Sequence, residues 1–544
     1  MKNKLLHTPD GVRDLYNEAY QAKLNIQNKL HQVFAEYDCQ DIQTPTFEYF
    51  DVFSKQLGTT PSKDLFKFFD TEGNTVVLRP DFTPSIARCV AKYFEPEEKA
   101  VKLCYMGNTF TNSSSYQGRL KETTQCGVEY IGDGSADADA QMLSMVVDCV
   151  KAIGIEDFQI SVGHAGFFDA LLDAANLRRK HANKLRNLLD NKNFLGVEAF
   201  VENTEMDEPL KNLFLLLADF DITDEDLVNA KKWSLPYPRV SSAIDSLMEL
   251  HSILKEKGID RYVSFEFGMI SNYEYYTGII FAGYTYGLGE PIVKGGRYDT
   301  LLSNFDKDAP AIGFAFVVDQ LMSATSVVKN KNDNRYLTFA LGKGRLAKKT
   351  LQLFEKIGIT CEEIFDPNTR KLIFVNEELK LRFFLSKGPD VPTYVEHGAA
   401  DIGIVGKDTI LEEGRNIYEV LDLGFGNCRM CICGPESAKE LLNHQKQIRV
   451  ATKYPQIAKD YFYNEKHQTV EIIKLNGSIE LAPIVGLSDV ICDIVETGAT
   501  LRENGLDVLE EVCPLSARMV VNEVSLKMEN ERITKLIRQL KEVL

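Results

Sequence analysis

The stretch from Glu480 to Leu501 limits most strongly how this chain can fold. Residues 490–495 are apolar apart from Asp493, which predicts a buried strand. The small-residue turn 497–500 then opens a helix. Backbone N–H groups at such a turn attract an anion, and Asp493 and Glu496 can accept hydrogen bonds from sugar hydroxyls. The stretch therefore predicts a site for a phosphorylated sugar.

Length and charge exclude several classes of protein. A chain of 544 residues is too long for one core and predicts three or four domains. The net charge of −17 argues against broad nucleic-acid binding, although one local pocket can still be basic. The sequence has neither an apolar signal core at its N-terminus nor a run of about eighteen apolar residues, so we expect a cytoplasmic protein without membrane contact.

The eleven cysteines are scattered and odd in number, which favours reduced thiols. Cys428, Cys431 and Cys433 are the densest group, but no second Cys or His pair follows at the spacing of a zinc finger. Met430 and Ile432 between them favour a strand. We therefore predict no metal-ligand cluster.

Polar side chains alternate along two segments that we predict to be extended, within a first unit of residues 1–325. The rows are Arg79, Asp81 and Thr83 on the first segment, and Gln125, Gly127 and Glu129 on the second. They predict a pocket rich in acceptors, suited to a ligand with an ammonium group. The alternative is a solvated sheet face.

Motifs across about residues 5–325 resemble the catalytic core of histidyl-tRNA synthetase. In order they are LRPDFTPSIAR, YMGNTF, YQGRLKETTQCGVEYIG, EYYTGIIFAGYTYG, PIVKGGRYDTLL and AIGFAFVVDQL. The resemblance implies a class II aminoacyl-tRNA synthetase-like antiparallel sheet domain with flanking helices, usually paired as a dimer. The spacing of residues 170–258 adds a helical insertion.

Three arginines of that family are absent, at the positions of Thr111, Ser271 and Gln320. In that family these cations hold a triphosphate and an activated carboxylate. Without them, we expect that the protein cannot form an aminoacyl adenylate. Such a core resembles the regulatory subunit of short-form ATP phosphoribosyltransferases. The resemblance implies a histidine-sensing pocket of Asp81, Thr83, Arg119, Gln125, Glu129, Tyr275 and Tyr276. A regulatory site at a subunit interface is the alternative.

Residues 326–334 are polar and predict a linker, after which strands and helices alternate over residues 335–544. We predict that the polypeptide crosses twice between two lobes in this part of the chain. The second lobe comprises about residues 430–517. The turn Lys343-Gly344-Arg345 joins a strand to a helix and suggests contact with a nucleotide or phosphate.

The motifs LGKGRL and DVPTYVEHGAADIGIVGKD, with the Glu480–Leu501 stretch, resemble the catalytic chain of ATP phosphoribosyltransferase. The resemblance covers residues 335–544 and implies a two-lobed, periplasmic-binding-protein-like α/β catalytic domain. It implies the first step of histidine biosynthesis, in which ATP attacks 5-phosphoribosyl 1-diphosphate (PRPP) and diphosphate leaves. Mg²⁺ would accompany the substrate phosphates.

The resemblance also implies roles for individual residues. PRPP contacts would come from Asp493, Glu496, Thr497, Gly498, Ala499, Thr500 and Leu501. Nucleotide contacts would come from Lys343, Gly344 and Arg345, and catalytic cations from Arg345, Arg370 and Lys387. Many members of the family carry Arg at the position of Lys387. Ordinary solvated charge or a surface salt bridge is the alternative for each charged residue.

The leading hypothesis is therefore a regulator fused to a catalyst, inhibited by histidine and assembled as a homo-oligomer. Whether the first unit activates, inhibits or does both stays open. The rival hypotheses are a catalytically altered synthetase-type enzyme and a small-molecule binding module.

Overall fold

The computed structural model describes residues 6–53, 60–113, 118–219, 222–270, 275–328, 335–365, 370–443 and 447–544. The chain separates into two compact units. The first comprises Met1–Asp190 and Gly196–Asn332, and the second comprises Asn191–Leu195 and Asp333–Leu544. No helix in the described ranges combines the length and the apolar character needed to cross a membrane.

Strands from distant parts of the chain build the first unit. They are β1 (Gln40–Asp41), β2 (Phe47–Tyr49), β3 (Lys67–Phe69), β4 (Thr75–Leu78), β5 (Val101–Phe110), β6 (Glu122–Ile131), β7 (Phe158–His164), β8 (Val263–Phe265), β9 (Ile279–Thr285), β10 (Val293–Arg297) and β11 (Ala311–Val317). Eight of them form one sheet in the order β1-β5-β6-β11-β10-β9-β7-β8. Only its two outer pairs, β1 with β5 and β7 with β8, are parallel. The antiparallel sheet that the resemblance implies is therefore confirmed.

Helices accompany this sheet. They are α1 (Asn17–Glu36), α2 (Thr83–Tyr93), α3 (Ala136–Ala152), α4 (Ala165–Ala175), α5 (Arg179–Asp190), α6 (Phe194–Glu202), α7 (Glu208–Leu215), α8 (Asp224–Ser234), α9 (Pro238–Glu256) and α10 (Val318–Val328). Their apolar faces are buried: α3, for example, buries Met142, Leu143, Val146 and Val147. The run from α4 to α9 is helical, as its periodicity predicts.

One sequence prediction for the first unit is wrong. Arg79, Asp81 and Thr83 do not share one face of an extended segment, because β4 ends at Leu78 and Thr83 is the first residue of α2. Pro84 occupies the first turn of that helix, where the missing N–H of proline is tolerated.

The second unit begins with a mixed sheet in the order β13-β14-β12-β15-β22-β16. Its strands are β12 (Leu337–Gly342), β13 (Ile373–Asn376), β14 (Leu381–Ser386), β15 (Ile402–Gly406), β16 (Tyr418–Asp422) and, late in the chain, β22 (Ala517–Val521). The helices of this lobe are α11 (Arg345–Lys356), α12 (Val391–Glu396), α13 (Lys407–Glu413), α18 (Glu523–Met528) and α19 (Asn530–Lys541).

A second lobe carries a five-stranded sheet in the order β19-β18-β20-β17-β21. Its strands are β17 (Cys428–Gly434), β18 (Ile448–Thr452), β19 (Val470–Lys474), β20 (Val490–Val495) and β21 (Asp507–Leu515). Its α-helices are α14 (Lys439–Asn443), α15 (Pro455–Lys459), α16 (Leu481–Ile484) and α17 (Ala499–Glu503). The chain passes between the lobes after β16 and again between β21 and β22. The two-lobed α/β fold is confirmed.

Candidate functional site

A cavity of about 270 Å³ lies beside β6, β10 and β11 in the first unit. Six of the seven residues predicted for a regulatory pocket line it: Asp81, Thr83, Gln125, Glu129, Tyr275 and Tyr276. The seventh, Arg119, is not a lining residue; its guanidinium lies 3.0 Å from Glu290, which does line the cavity. Arg79 also lies outside the lining and donates hydrogen bonds to the backbone carbonyls of Thr44 and Asn108.

Two buried carboxyl groups dominate the electrostatics of this cavity. Glu129 accepts hydrogen bonds from Thr83 Oγ1 at 2.6 Å and from the Tyr298 hydroxyl at 2.5 Å, yet burial raises its pKa to about 7. Burial and the neighbouring Glu129 raise the pKa of Asp81 to about 8, and the backbone N–H of Thr83 offsets only part of that rise. No described donor reaches either Asp81 oxygen with hydrogen-bond geometry. A cationic ligand with N–H donors would relieve both groups.

Acceptors are also in excess elsewhere in the lining. The side-chain oxygens of Gln125 and Gln320 are buried without a partner among the described residues. The Gln320 amide nitrogen donates to Glu290 at 3.2 Å. The cavity thus presents carboxyl and amide oxygens to whatever enters it, which matches the prediction of an acceptor-rich pocket.

Two of the three missing-arginine positions, Thr111 and Gln320, line this cavity. The third, Ser271, lies outside the described residues. Within the described lining Lys294 is the single cationic side chain, against Asp81, Glu129 and Glu290. Apart from Lys294, the described lining offers no cation to hold a triphosphate.

In the first lobe of the second unit, three parallel strands bring candidate residues to one edge. β14, β12 and β15 are neighbours, so the loops after their carboxyl ends lie side by side. Lys343 follows β12 and donates its N–H to the Ser386 carbonyl at 2.8 Å, while Lys387 follows β14. Ligands of open α/β sheets bind outside the carboxyl ends of the strands. The edge therefore carries exposed cations at the expected place for a substrate.

The other predicted cations occupy the same region of this lobe. Arg345 is the first residue of α11, and its side chain is 90% exposed. Gly344 before it has φ of +102°, a conformation that favours glycine. Arg370 is exposed and precedes β13, which begins opposite Phe384 near the carboxyl end of β14.

The sequence stretch around Asp493 folds as its pattern predicts, with α16, β20 and α17 in succession. Burial and the nearby Glu480 raise the pKa of Asp493, while the N–H of Ile494, 2.8 Å from its Oδ1, and Lys453 offset part of the rise. Such a carboxylate is stabilised by further hydrogen-bond donors, which sugar hydroxyls can supply.

The turn after β20 presents its backbone to solvent. Glu496, Thr497, Ala499 and Thr500 are exposed, and Gly498 has φ of +72°. Leu501 differs, because its side chain is 6% exposed and packs in the core of the lobe. α17 spans only five residues, so the backbone N–H groups of this turn matter more than a long helix dipole; one of them, that of Ala499, donates to Thr497 Oγ1 at 3.4 Å.

Side chains from the two lobes approach one another between these edges. The Arg345 guanidinium lies 3.8 Å from Glu496 Oε2. Asp408, at the start of α13 in the first lobe, lies near Tyr454 and Lys453 of the second. Burial and then the Asp408 charge raise the pKa of the Tyr454 hydroxyl, and burial raises the pKa of Asp408, while Lys453 offsets part of that rise. The two lobes therefore come together at these edges, where cationic and anionic side chains face one another.

Asp408, Lys453 and Tyr454 also lie at this approach of the lobes and were not among the residues predicted from the sequence. Each of them follows the carboxyl end of a parallel strand by one or two residues. Because ligands of open α/β sheets bind outside these strand ends, their positions in the sequence could have identified them. The Thr452 hydroxyl fixes the loop by donating to Cys492 O at 2.6 Å and accepting from Tyr454 N at 2.8 Å.

The remaining residues of the Glu480–Leu501 stretch support the fold. Arg449 pairs with Asp489 at 2.9 Å and donates to the Gly486 carbonyl at 3.0 Å. Gly486 has φ of +74°, and Ser488 is buried. These contacts hold the turn that leads into β20.

Two family models match the chain. The model described as histidyl-tRNA synthetase matches residues 11–321, and the model described as ATP phosphoribosyltransferase matches residues 387–542. An ATP phosphoribosyltransferase of Lachnoclostridium phytofermentans is 78% identical over 210 residues, which are 39% of this chain and 98% of that protein.

The first unit has relatives of a different kind. An ATP phosphoribosyltransferase regulatory subunit of Acetivibrio thermocellus is 37% identical over 323 residues, which are 59% of this chain and 76% of that protein. The crystal structure of an ATP phosphoribosyltransferase regulatory subunit/histidyl-tRNA synthetase from Bacillus halodurans is 28% identical with a TM-score of 0.54, covering 70% of this chain and 99% of that one.

Both halves thus match components of one enzyme system, in the order that the sequence motifs predict. The chain belongs to the ATP phosphoribosyltransferase family of histidine biosynthesis, and it joins a region related to the regulatory subunit to a catalytic transferase region.

Proposed function

We propose that the cleft between the lobes of the second unit binds PRPP and ATP. The observation that supports this proposal is the approach of the two lobes at their strand ends, where the Arg345 guanidinium lies 3.8 Å from Glu496 Oε2 and Asp493, on β20, precedes Glu496. Thr497, Gly498, Ala499 and Thr500 hold the 5-phosphate, and Leu501 contributes its backbone. Asp493 and Glu496 accept hydrogen bonds from the ribose hydroxyls.

The cations serve the nucleotide and the leaving group. Lys343, Gly344 and Arg345 contact the nucleotide phosphates, and Arg345, Arg370 and Lys387 balance the charge of the departing diphosphate. Adenine N1 of ATP forms a bond to C1 of PRPP, and the bond from C1 to the diphosphate oxygen breaks with its electron pair. Negative charge grows on the diphosphate as it leaves, so fixed cations lower the barrier.

Mg²⁺ suits this cleft as a companion of the substrate phosphates. Mg²⁺ is commonly bound by one or two carboxylates together with phosphate oxygens. Asp408 is the carboxylate that fits this role, because burial raises its pKa and a nearby cation would favour the ionised form. When bound, the ion would neutralise charge on the leaving diphosphate.

The cavity of the first unit senses histidine in this proposal. Its acceptor excess supports this, since the partnerless oxygens of Asp81, Gln125 and Gln320 match a ligand that carries ammonium and ring N–H donors. Asp81, Thr83, Gln125, Glu129, Tyr275 and Tyr276 form the pocket, and Arg119 borders it through Glu290. Histidine thereby inhibits the transferase.

The domain limits are part of the same proposal: a regulatory domain at 1–325 with its helical insertion at about 170–258, a linker at 326–334 and a catalytic domain at 335–544. The chain works in the cytoplasm as a homo-oligomer, as its kinship with a biosynthetic enzyme and its regulatory subunit suggests.

Formation of phosphoribosyl-ATP by the full chain tests the assignment of the cleft. With ATP, PRPP and Mg²⁺, Asp493→Asn should lower kcat/KM about 100-fold, because a neutral amide is a weaker acceptor for the ribose hydroxyls of the transition state. Asp507→Asn, an exposed aspartate of the same lobe, is the control and should leave the rate unchanged. Equal rates for the two variants would refute the role of Asp493.

A further inference from the structure

A cluster of potential metal ligands lies in the first unit and has no part in the proposed function. His31 of α1, Asp41 of β1 and Cys104 of β5 bring one ligand atom each to within 4.8 Å of one another. His31 Nε2 is 2.8 Å from Asp41 Oδ1, and Cys104 Sγ is 3.4 Å from the same oxygen.

The backbone explains why these side chains meet. β1 and β5 are parallel neighbours, and Asp41 and Cys104 are register partners, so their side chains leave the same face of the sheet. α1 buries Leu30, Val33 and Phe34, which places His31 at the border between that buried stripe and solvent. Three separate elements thus fix the three ligands.

The distances suit a small tetrahedral ion. Zn²⁺ bound to nitrogen and oxygen at about 2.1 Å and to sulfur at about 2.3 Å separates its ligands by about 3.4–3.6 Å. The Cys104–Asp41 pair already has this spacing, and the His31–Asp41 distance of 2.8 Å would need to lengthen by about half an ångström, while all three ligand atoms lie within 4.8 Å of one another. Imidazole, carboxylate and thiolate together are a donor set that favours Zn²⁺ over Mg²⁺ or Ca²⁺.

Exposure differs among the three ligands in a way that leaves room for a water ligand. The side chains of His31 and Asp41 are 47% and 75% exposed, while Cys104 is 2% exposed. The sulfur therefore closes the inner side of the cluster and the outer side faces solvent. β1 is also a two-residue strand at the edge of the sheet, so a bound ion would tie it to both α1 and β5.

We propose that His31, Asp41 and Cys104 form a Zn²⁺ site with a solvent ligand, which clamps the edge of the sheet in the first unit. Metal binding converts the Cys104 thiol to a thiolate and releases its proton to solvent.

Cobalt absorbance on the full chain tests the proposal, because a thiolate bound to Co²⁺ gives a charge-transfer band. After treatment with a chelator and desalting, one equivalent of Co²⁺ should produce the band, and Zn²⁺ should displace it. Cys104→Ala should lose the band. Cys39→Ser is the matched control, since Cys39 lies nearby but is not a member of the cluster.

His31→Ala provides a second measurement that does not depend on a core substitution. His31 is half exposed, so the variant should fold, and its affinity for Co²⁺ should fall more than about tenfold. Zn²⁺ should raise the Tm of the unaltered chain but not of this variant. A wild-type chain without the band, or a band of equal strength in Cys104→Ala, would show that the cluster is an ordinary hydrogen-bonded ion pair.

Discussion

Arg345, which we propose to contact the substrates, is highly exposed to solvent. Its side chain is 90% exposed, and its contact with Glu496 is a loose 3.8 Å. A hydrogen bond to a charged group contributes about 1.5–3 kcal/mol, so Arg345→Ala should lower kcat/KM about 10- to 100-fold. Lys356→Ala, at the far end of the same helix, should have no effect on steady-state kinetics. Equal losses in both variants would indicate a general effect of charge.

Asp81 and Glu129 should make the stability of the first unit depend on pH. Their pKa values rise from 3.8 and 4.5 in the unfolded chain to about 8 and about 7 in the folded one. The folded state therefore binds more protons between about pH 4 and pH 8, and the free energy of unfolding should fall as the pH rises through this range. Below about pH 4 both groups are protonated in the folded and the unfolded chain, so the free energy of unfolding keeps its full value there with respect to these two groups.

Trp233 is the only tryptophan of the chain and lies in α8, so its fluorescence follows the unfolding of the first unit. In denaturant titrations Asp81→Asn should flatten the pH dependence, because the substitution removes one of the two coupled groups. Asp51→Asn, an exposed aspartate of the same unit, should preserve the slope. If the free energy of unfolding depended on pH equally in wild type and Asp81→Asn, the raised pKa of Asp81 in the folded chain would be contradicted.

A network of buried charged side chains connects the strands at which the polypeptide crosses between the two lobes of the second unit. Glu419 on β16 is 2% exposed and pairs with Lys407 at the start of α13 and with Arg518 on β22. Arg518 also pairs with Asp422 at 3.0 Å, and Ser516 donates to the same carboxylate. The network thus spans the strands that flank both crossings.

Glu419→Gln should lower the free energy of unfolding by about 3 kcal/mol, because it leaves Lys407 without its carboxylate partner and Arg518 with Asp422 alone. Hydrogen exchange of β16 and β22 measures this change. Glu511→Gln is the control: its pair with Arg429 is about half exposed, and such surface pairs contribute about 0–1 kcal/mol. A loss no larger than that of the control would mean that the network does not stabilise the crossing.

Much of the architecture was predictable because its signals are local. The apolar run before Thr497 and the glycine at 498 specify a strand and a turn within one short stretch, and β20 and α17 follow that pattern. Alternation along β6 likewise placed Gln125 and Glu129 on the cavity side.

Other features depend on contacts between distant parts of the chain. The approach of Asp408 to Tyr454 needs both lobes, and the pairing of Asp41 with Cys104 needs the order of the sheet. Thr83 was misplaced although Pro84 was a local signal for a helix start, because alternation of polar residues was given more weight.

At the scale of the whole molecule, fusion fixes a one-to-one ratio of the two units and keeps them at high effective concentration. Removal of residues 1–334 would also remove residues 191–195, which belong to the second compact unit. Point variants of the full chain therefore test regulation more cleanly than truncation does.

The most direct measurement is the initial rate of phosphoribosyl-ATP formation by the full chain, with Mg²⁺ and increasing histidine, for wild type and Glu129→Gln. Wild type should be active and inhibited by histidine. Glu129→Gln should keep the rate without histidine and need more than about tenfold more histidine for the same inhibition, because the pocket loses a carboxylate acceptor. Identical titration curves, or no product from wild type, would contradict the account.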